Sequence, residues 1–180
     1  PDQCMSELYD EQISRYLKPG KTLLFSHGYN IHYNIINCPD IVDVIMVAPS
    51  GAGVVVRNAF KKGSGVPNLI SIHQDFNGDS FKLALSYSKA IGGTKAGTFL
   101  SSFKEETESD LFGEQVVLCG GIPSLIQAAF DVLVEEGFQP IVAWYVCFYE
   151  VKLIVDIFHK TGFQNMNKAI SSTAEYGGLK

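Results

Sequence analysis

Basic residues are scarce in this chain of 180 residues. Its 14 Lys and Arg stand against 19 Asp and Glu, for a formal net charge of −5, which argues against nucleic acid or an anionic membrane as the main partner. Cysteine is sparse too: Cys4, Cys38, Cys119 and Cys147 form no C-x-x-C pair. The cysteines show neither a disulfide framework nor metal-ligand spacing, and the four read as reduced, buried thiols of a cytoplasmic protein. Long apolar runs are missing: the longest, residues 141–148, is far too short to span a bilayer. The first residues are acidic and polar, unlike a signal peptide, and the start at Pro1-Asp2 without Met reads as a piece of something longer. The phosphate-binding pattern G-x-G-x-x-G is absent. Its nearest approach, GSGVPN at 63–68, follows no strand and lacks the third glycine, as expected of a nucleotide-binding domain without its first βαβ unit. There is no internal repeat and no low-complexity linker.

What is present is a folded composition, with 46% hydrophobic and 18% charged residues, enough for one domain or one and part of another. Residues 4–17 carry apolar side chains at helical spacing, stopped by Pro19-Gly20. Three short apolar strands follow, in KTLLFSHG, IVDVIMVAPSGAG and NLISIHQD. Helical segments at 54–62 and 79–91 alternate with them, which predicts a parallel, doubly wound α/β sheet. A last strand is expected at 96–101. From 103 onward every segment has helical period: an acidic helix broken at Gly120-Gly121-Ile122-Pro123, then 124–136 with Leu125, Ala128, Ala129, Val132 and Leu133 inside and Gly137 as cap, then 141–160 and a shorter helix ending near Tyr176. The boundary between an α/β part and a helical part falls at about 92–102.

Residues 103–121, FKEETESDLFGEQVVLCGG, concentrate the chemistry. Glu106, Asp110 and Glu114 are four residues apart and share a helical face. A run of carboxylates is ordinarily a solvated face. Here Leu111, Phe112, Val116, Val117 and Leu118 are expected to bury the later turns, and half-buried carboxylates need a cation or a proton. A divalent metal is the sharper reading. In doubly wound sheets ligands gather beyond the carboxyl ends of strands, where His27, Ser50 and His73 are expected to converge. His27 is followed by glycine, which leaves its ring uncovered for acid–base work, although a turn-capping histidine fits as well. His32 and His73 read as structural, and His159 as complementing a helix dipole.

Seven strings in order go beyond periodicity: FSHGYNIHY (25–33), VDVIMVAPSGAG (42–53), GVPNLISIHQD (65–75), AIGGTKAGTF (90–99), residues 103–121, YEVKLIVD (149–156) and SSTAEYGG (171–178). Together they resemble ketol-acid reductoisomerase, also called acetohydroxy-acid isomeroreductase, in its short bacterial form, over essentially the whole chain. The resemblance implies a fragment lacking the glycine-rich loop and the C-terminal end. Residues 1–101 would be part of a Rossmann-type NADP-binding domain, and 102–180 part of a helical domain that the family ties into a knot. It implies NADPH, two magnesium ions and a homodimer or higher oligomer, with no nucleic acid and no membrane. The reaction would shift an alkyl group in a 2-acetohydroxy acid and then reduce it, in valine, leucine and isoleucine synthesis. His27 matches the active-site histidine, Asp110 and Glu114 the paired metal ligands, and Glu150 a second-metal ligand from the other subunit. Ser171 matches a substrate-binding serine, and Gly53 and the turn of Asp2, Gln3, Cys4 and Met5 match cofactor contacts. Glu106 is left as a neighbouring or solvent carboxylate.

Departures from the pattern bear on activity. Val146 stands where the family has a glutamate, so the second ion loses a carboxylate. Ser50 replaces a lysine, Gln3 and Met5 replace Glu and Gln, and Tyr149 replaces a histidine. Two readings follow: a reductoisomerase, or a catalytically decayed fragment that serves as a dimerisation or binding module. A β-hydroxyacid dehydrogenase is weaker, because it leaves Asp110 and Glu114 without a use.

Overall fold

β2 (Asp43–Pro49) is the strand around which the first half of the chain is built. Its side chains alternate: Val44, Met46 and Ala48 enter one core with Phe25, Ile31, Ile36 and Phe103, while Ile45 and Val47 enter a second with Ile70 and Ala84. A strand covered on both faces reads as a continuous apolar run, which is what VDVIMVA displays. The computed structural model describes residues 2–178. It has two compact units, Pro1–Phe112 and Gly113–Lys180.

In the first unit α1 (Asp2–Leu8) runs into a π-helical turn, Tyr9–Ile13, and a single 3-10 turn, Ser14–Tyr16. β1 (Thr22–Phe25) pairs parallel with β2, Thr22 opposite Asp43. Between them lies the short α2 (Tyr29–His32). After β2 come α3 (Gly53–Lys61), β3 (Asn68–Gln74), α4 (Ser80–Ala90), β4 (Thr98–Leu100) and α5 (Phe103–Phe112), with sheet order β1-β2-β3-β4. The α/β class is as the sequence indicates, with one departure from an all-parallel sheet: β3 is antiparallel to β2. α3 buries no residue, so it is not laid across the sheet as a crossover helix and the chain returns in the opposite sense. α4 buries Ser80, Ala84 and Ser88, and the β3–α4–β4 unit is parallel as a covering helix requires. Gly65 packs directly on the turn after α4, where an added Cβ would run into the Gly92 carbonyl oxygen.

The loop after β3 is held by one carboxylate. Asp43, with no exposed surface, accepts hydrogen bonds from Thr22 Oγ1 (3.1 Å), Asn77 Nδ2 (2.6 Å), and the backbone N–H of Phe76 (2.8 Å) and Asn77 (3.0 Å). Burial pushes its carboxyl upward, and the donors of Asn77, Thr22 and Phe76 outweigh that, so its pKa lies below the ordinary value.

The second unit is helical: a π-helical stretch Gly113–Gly121, α6 (Ile122–Glu135), α7 (Pro140–Trp144), a π-helical turn Tyr145–Tyr149, α8 (Val151–Thr161), α9 (Phe163–Met166) and α10 (Ser172–Gly178). Gly137, at φ +88°, follows the end of α6 as a cap should. The expected break at 120–123 does not occur: Pro123 stands just after the junction of the π-helical stretch and α6, and the helical backbone continues through it. Helical backbone therefore runs over the 33 residues Phe103–Glu135, and part of it is long and apolar enough to cross a bilayer by length and composition only.

Burial corrects the sequence reading here. Ala143 is the one buried side chain of this unit among the described residues. Phe112, Val116, Val117 and Leu118, expected to bury the acidic helix, are 65%, 52%, 48% and 60% exposed. Leu125 and Val132, expected inside, are exposed as well, and so are Ala128 and Ala129. Among the described residues nothing buries these apolar faces. The thiols are free, and Cys4 and Cys119 are exposed rather than buried.

Candidate active site

α5 owes its start to Ser102, whose Oγ accepts from the Glu105 N–H (3.0 Å) while its carbonyl accepts from the Glu106 N–H. That register puts Phe103, Glu106, Thr107 and Asp110 on one face at the i, i+3, i+4, i+7 spacing. Phe103, Glu106 and Thr107 are buried. The face lies over the turn between β1 and α2, where an added Cβ on Gly28 would come within 2.5 Å of Thr107 Oγ1 and 2.6 Å of the Phe103 carbonyl oxygen. Gly28 is thus required by the close approach of α5, not by a need to uncover the histidine ring.

The approach brings three chemically active side chains together. Glu106 Oε1 is 2.8 Å from His27 Nδ1, and Glu106 Oε2 accepts the Gly28 N–H at 2.8 Å. Asp110 Oδ2 is 3.8 Å from the same His27 nitrogen. One ligand atom from each of His27, Glu106 and Asp110 can be chosen so that all lie within 4.8 Å of one another. Glu106 is buried, His27 keeps 20% of its side chain exposed and Asp110 is half exposed. With Glu106 as the acceptor, His27 Nδ1 carries the proton of that bond and Nε2 keeps its lone pair. Tyr29 stacks on the His27 ring, with centroids 6.3 Å apart. A second pair, His32 Nε2 to Glu108 Oε1 at 3.2 Å, lies along the same seam.

Glu106 is the residue that sequence reasoning undervalued. Of the two readings, neighbouring or solvent carboxylate, the structure has the first: Glu106 is buried and is the group that orients His27. The spacing Phe103–Glu106–Thr107, an apolar residue and a threonine flanking an acid on one face, was the signal that could have found it.

Other expected site residues fall as follows. Gly53 opens α3 and lines a cavity of about 460 Å³ with Ser26, Pro49, Gly51 and Arg57, at the carboxyl ends of β1 and β2, where α/β sheets bind ligands. Asp2, Gln3, Cys4 and Met5 form the first turns of α1, a helix instead of the expected turn. Met5 packs on the core, and its sulfur accepts from Asn30 Nδ2 at 3.4 Å. Ser50 is exposed just past β2. His73 does not converge with His27: β3 is reversed, its carboxyl end lies level with the start of β2, and its ring packs on Phe103 at 5.6 Å. Glu114, Glu150 and Ser171 belong to the second unit and are exposed. Glu114 lies in the π-helical stretch, where a spacing argument built on 3.6 residues per turn no longer applies. Glu150 follows the π turn containing the exposed Val146 and opens α8. Ser171 caps α10, its Oγ accepting from the Ala174 N–H.

Comparison with known proteins agrees over both units. Residues 1–97 match the NADPH-binding domain of acetohydroxy acid isomeroreductase, and 103–180 match the ketol-acid reductoisomerase C-terminal domain. A ketol-acid reductoisomerase (NADP(+)) from Sulfurisphaera tokodaii is 51% identical over 99% of this chain. The structure of an NADH-preferring ketol-acid reductoisomerase from an uncultured archaeal source superposes with a TM-score of 0.96 at 47% identity, over 98% of this chain. In each case the chain spans 54% of the relative's length. A semialdehyde dehydrogenase NAD-binding protein from Cupriavidus necator, covered over 66% of its chain with 98% of this one, is 15% identical at a TM-score of 0.63, which is a likeness of fold alone.

Proposed function

This chain belongs to the ketol-acid reductoisomerase family, and from that premise we propose that it is part of an enzyme that isomerises 2-acetohydroxy acids such as 2-acetolactate and reduces the product with NADP(H). The observation that carries the reading is the meeting of His27 and the half-exposed Asp110 around the buried Glu106. The donor set suits magnesium: Asp110, Glu114 and Glu150 offer hard carboxylate oxygens. Two magnesium ions, when bound, would supply the Lewis acidity that an alkyl shift between adjacent carbons needs. Asp110, presented by α5, would hold the first, together with Glu114. Val146 has no ligand atom and leaves Glu150 as the single acid of the second half-site. His27 Nε2, presented by the hydrogen bond of Nδ1 to Glu106, would take or return the proton of the substrate hydroxyl. The cavity at Gly53 would receive the nicotinamide end of the cofactor. Ser171 would touch substrate, and Asp2, Gln3, Cys4 and Met5 would contact the cofactor from α1. The NADP-binding part would comprise 1–101 and the helical part 102–180.

The test is magnesium-dependent consumption of NADPH with 2-acetolactate by the complete protein. Ser50→Lys combined with Val146→Glu is expected to raise turnover by about 100-fold, the scale of a missing electrostatic group in a site. Full turnover without those changes would show that neither departure matters. A second reading, a non-catalytic dimerisation module, draws on Val146 and on the uncovered helices of the second unit. It would hold if the double replacement gave no rate and calorimetry gave no magnesium binding.

Those uncovered faces also support a homodimer. Leu125, Val132, Ile141, Trp144, Phe148 and Leu153 are all more than 40% exposed, far more apolar surface than a monomer leaves in water. Sedimentation is expected to give a dimer or a larger even assembly. A monodisperse monomer at micromolar concentration would remove the partner subunit from the mechanism.

A further inference from the structure

We infer that His27, Glu106 and Asp110 form a site for one borderline transition-metal ion of the zinc or cobalt class, which shares Asp110 with the magnesium-type carboxylate pair but takes its other two donors from His27 and Glu106. Glu106 is a buried carboxylate whose ion-pair partner among the described residues is His27, with no Lys or Arg in reach. Its Oε2 is fixed by the Gly28 N–H, and Oε1 is bonded to His27 Nδ1 alone, the bond that an ion would replace. Zinc–nitrogen and zinc–oxygen bonds of about 2.0–2.2 Å put tetrahedral ligand atoms roughly 3.3–3.5 Å apart. The observed separations of 2.8 Å and 3.8 Å from Nδ1 straddle that spacing. All three ligand atoms lie within 4.8 Å of one another, and the half-exposed Asp110 is the side chain that would close the remainder. Water fills the fourth position from the open side.

The donor set decides which ion. An imidazole nitrogen with two carboxylates suits zinc, cobalt or nickel, whereas magnesium selects oxygen alone. The ion replaces the proton on Nδ1, which leaves to solvent. Binding therefore does not depend on the reductoisomerase reading. Its consequence does: an ion here takes Asp110 away from magnesium and holds His27 by the nitrogen that Glu106 otherwise orients, so zinc would act as an inhibitor competitive with magnesium.

Cobalt(II) titration of the purified protein tests the site directly. The d–d bands of a four-coordinate ion are expected, and X-ray absorption of the unaltered protein should find one imidazole in the shell. His27→Gln and Glu106→Gln should each weaken binding by more than the roughly 10–100-fold that loss of an outer-shell partner costs. Glu114→Gln should leave it unchanged. His27 is partly exposed, so its replacement keeps the test open if Glu106→Gln fails to fold. An all-oxygen shell, undiminished binding in His27→Gln, equal loss in Glu114→Gln, or no binding at all would overturn the assignment. None of these outcomes depends on turnover, so a chain without reductoisomerase activity can still carry the site.

Discussion

Asp43→Ala is expected to cost about 3 kcal/mol of folding stability, because a buried charge accepting several hydrogen bonds leaves all its donors stranded when removed. Four bonds end on that carboxylate. Three of them tie Phe76 and Asn77, in the loop that starts α4, to the first residue of β2. Those donors regain some water, which keeps the cost from rising further. Equilibrium denaturation measures it, and a loss under about 1 kcal/mol, within the range of one ordinary hydrogen bond, would mean that the network carries little. The same group gives a pH signature. Its folded pKa is depressed, so its contribution is complete above the unfolded value, near 3.9 for aspartate, and is lost as pH falls through the folded value. Asp43→Asn should therefore flatten the acid limb of the stability profile while retaining part of the loop's bonding. An unchanged acid limb would move the acid sensitivity elsewhere.

Gly28→Ala is the second large effect, and it strikes the site as well as the fold. The added methyl would meet Thr107 Oγ1 at 2.5 Å, the Phe103 carbonyl oxygen at 2.6 Å and Glu106 Oε2 at 3.1 Å. Overpacking of this kind costs about 1–3 kcal/mol, and in a small domain each kcal/mol lowers the melting temperature by roughly 4–8 °C. α5 must lift away from the turn, which separates Glu106 from both the His27 ring and the Gly28 N–H. Turnover and metal binding at His27 should both fall. Adding Thr107→Ala relieves the side-chain clash and leaves the backbone one, so rescue should be partial. Complete rescue would show that the Phe103 carbonyl is not the obstacle.

Two features of residues 103–121 show how far the sequence could be read. The acidic spacing placed Glu106 and Asp110 on one face of α5, and the structure has them so. What the spacing could not supply was the depth of each acid. Phe112, Val116 and Leu118 look like a burying surface in sequence, yet they are exposed, while Glu106, flanked by Lys104, Glu105 and Glu108, is buried. Periodicity assigns a face, but burial depends on what packs against it. Beyond Phe112 even the face is lost, because the helix widens to a π form at Gly113. His73 illustrates the same limit in the sheet: its strand was legible, and the strand's direction was not, since α3 could have crossed over the sheet or not with the same residues.

Local chemistry determined a good deal alone: the strands of the α/β part, the acidic helix from Phe103, the Gly137 cap, and the strings that mark the family. These depend on near neighbours in the chain, and near neighbours are what a sequence displays. Tertiary structure alone decided that β3 runs against β2, that Gly28 must be glycine, and that Glu106 grips His27 across 79 residues of chain. Each of those rests on a contact between segments far apart in sequence, whose geometry is settled only when the sheet and α5 close on one another.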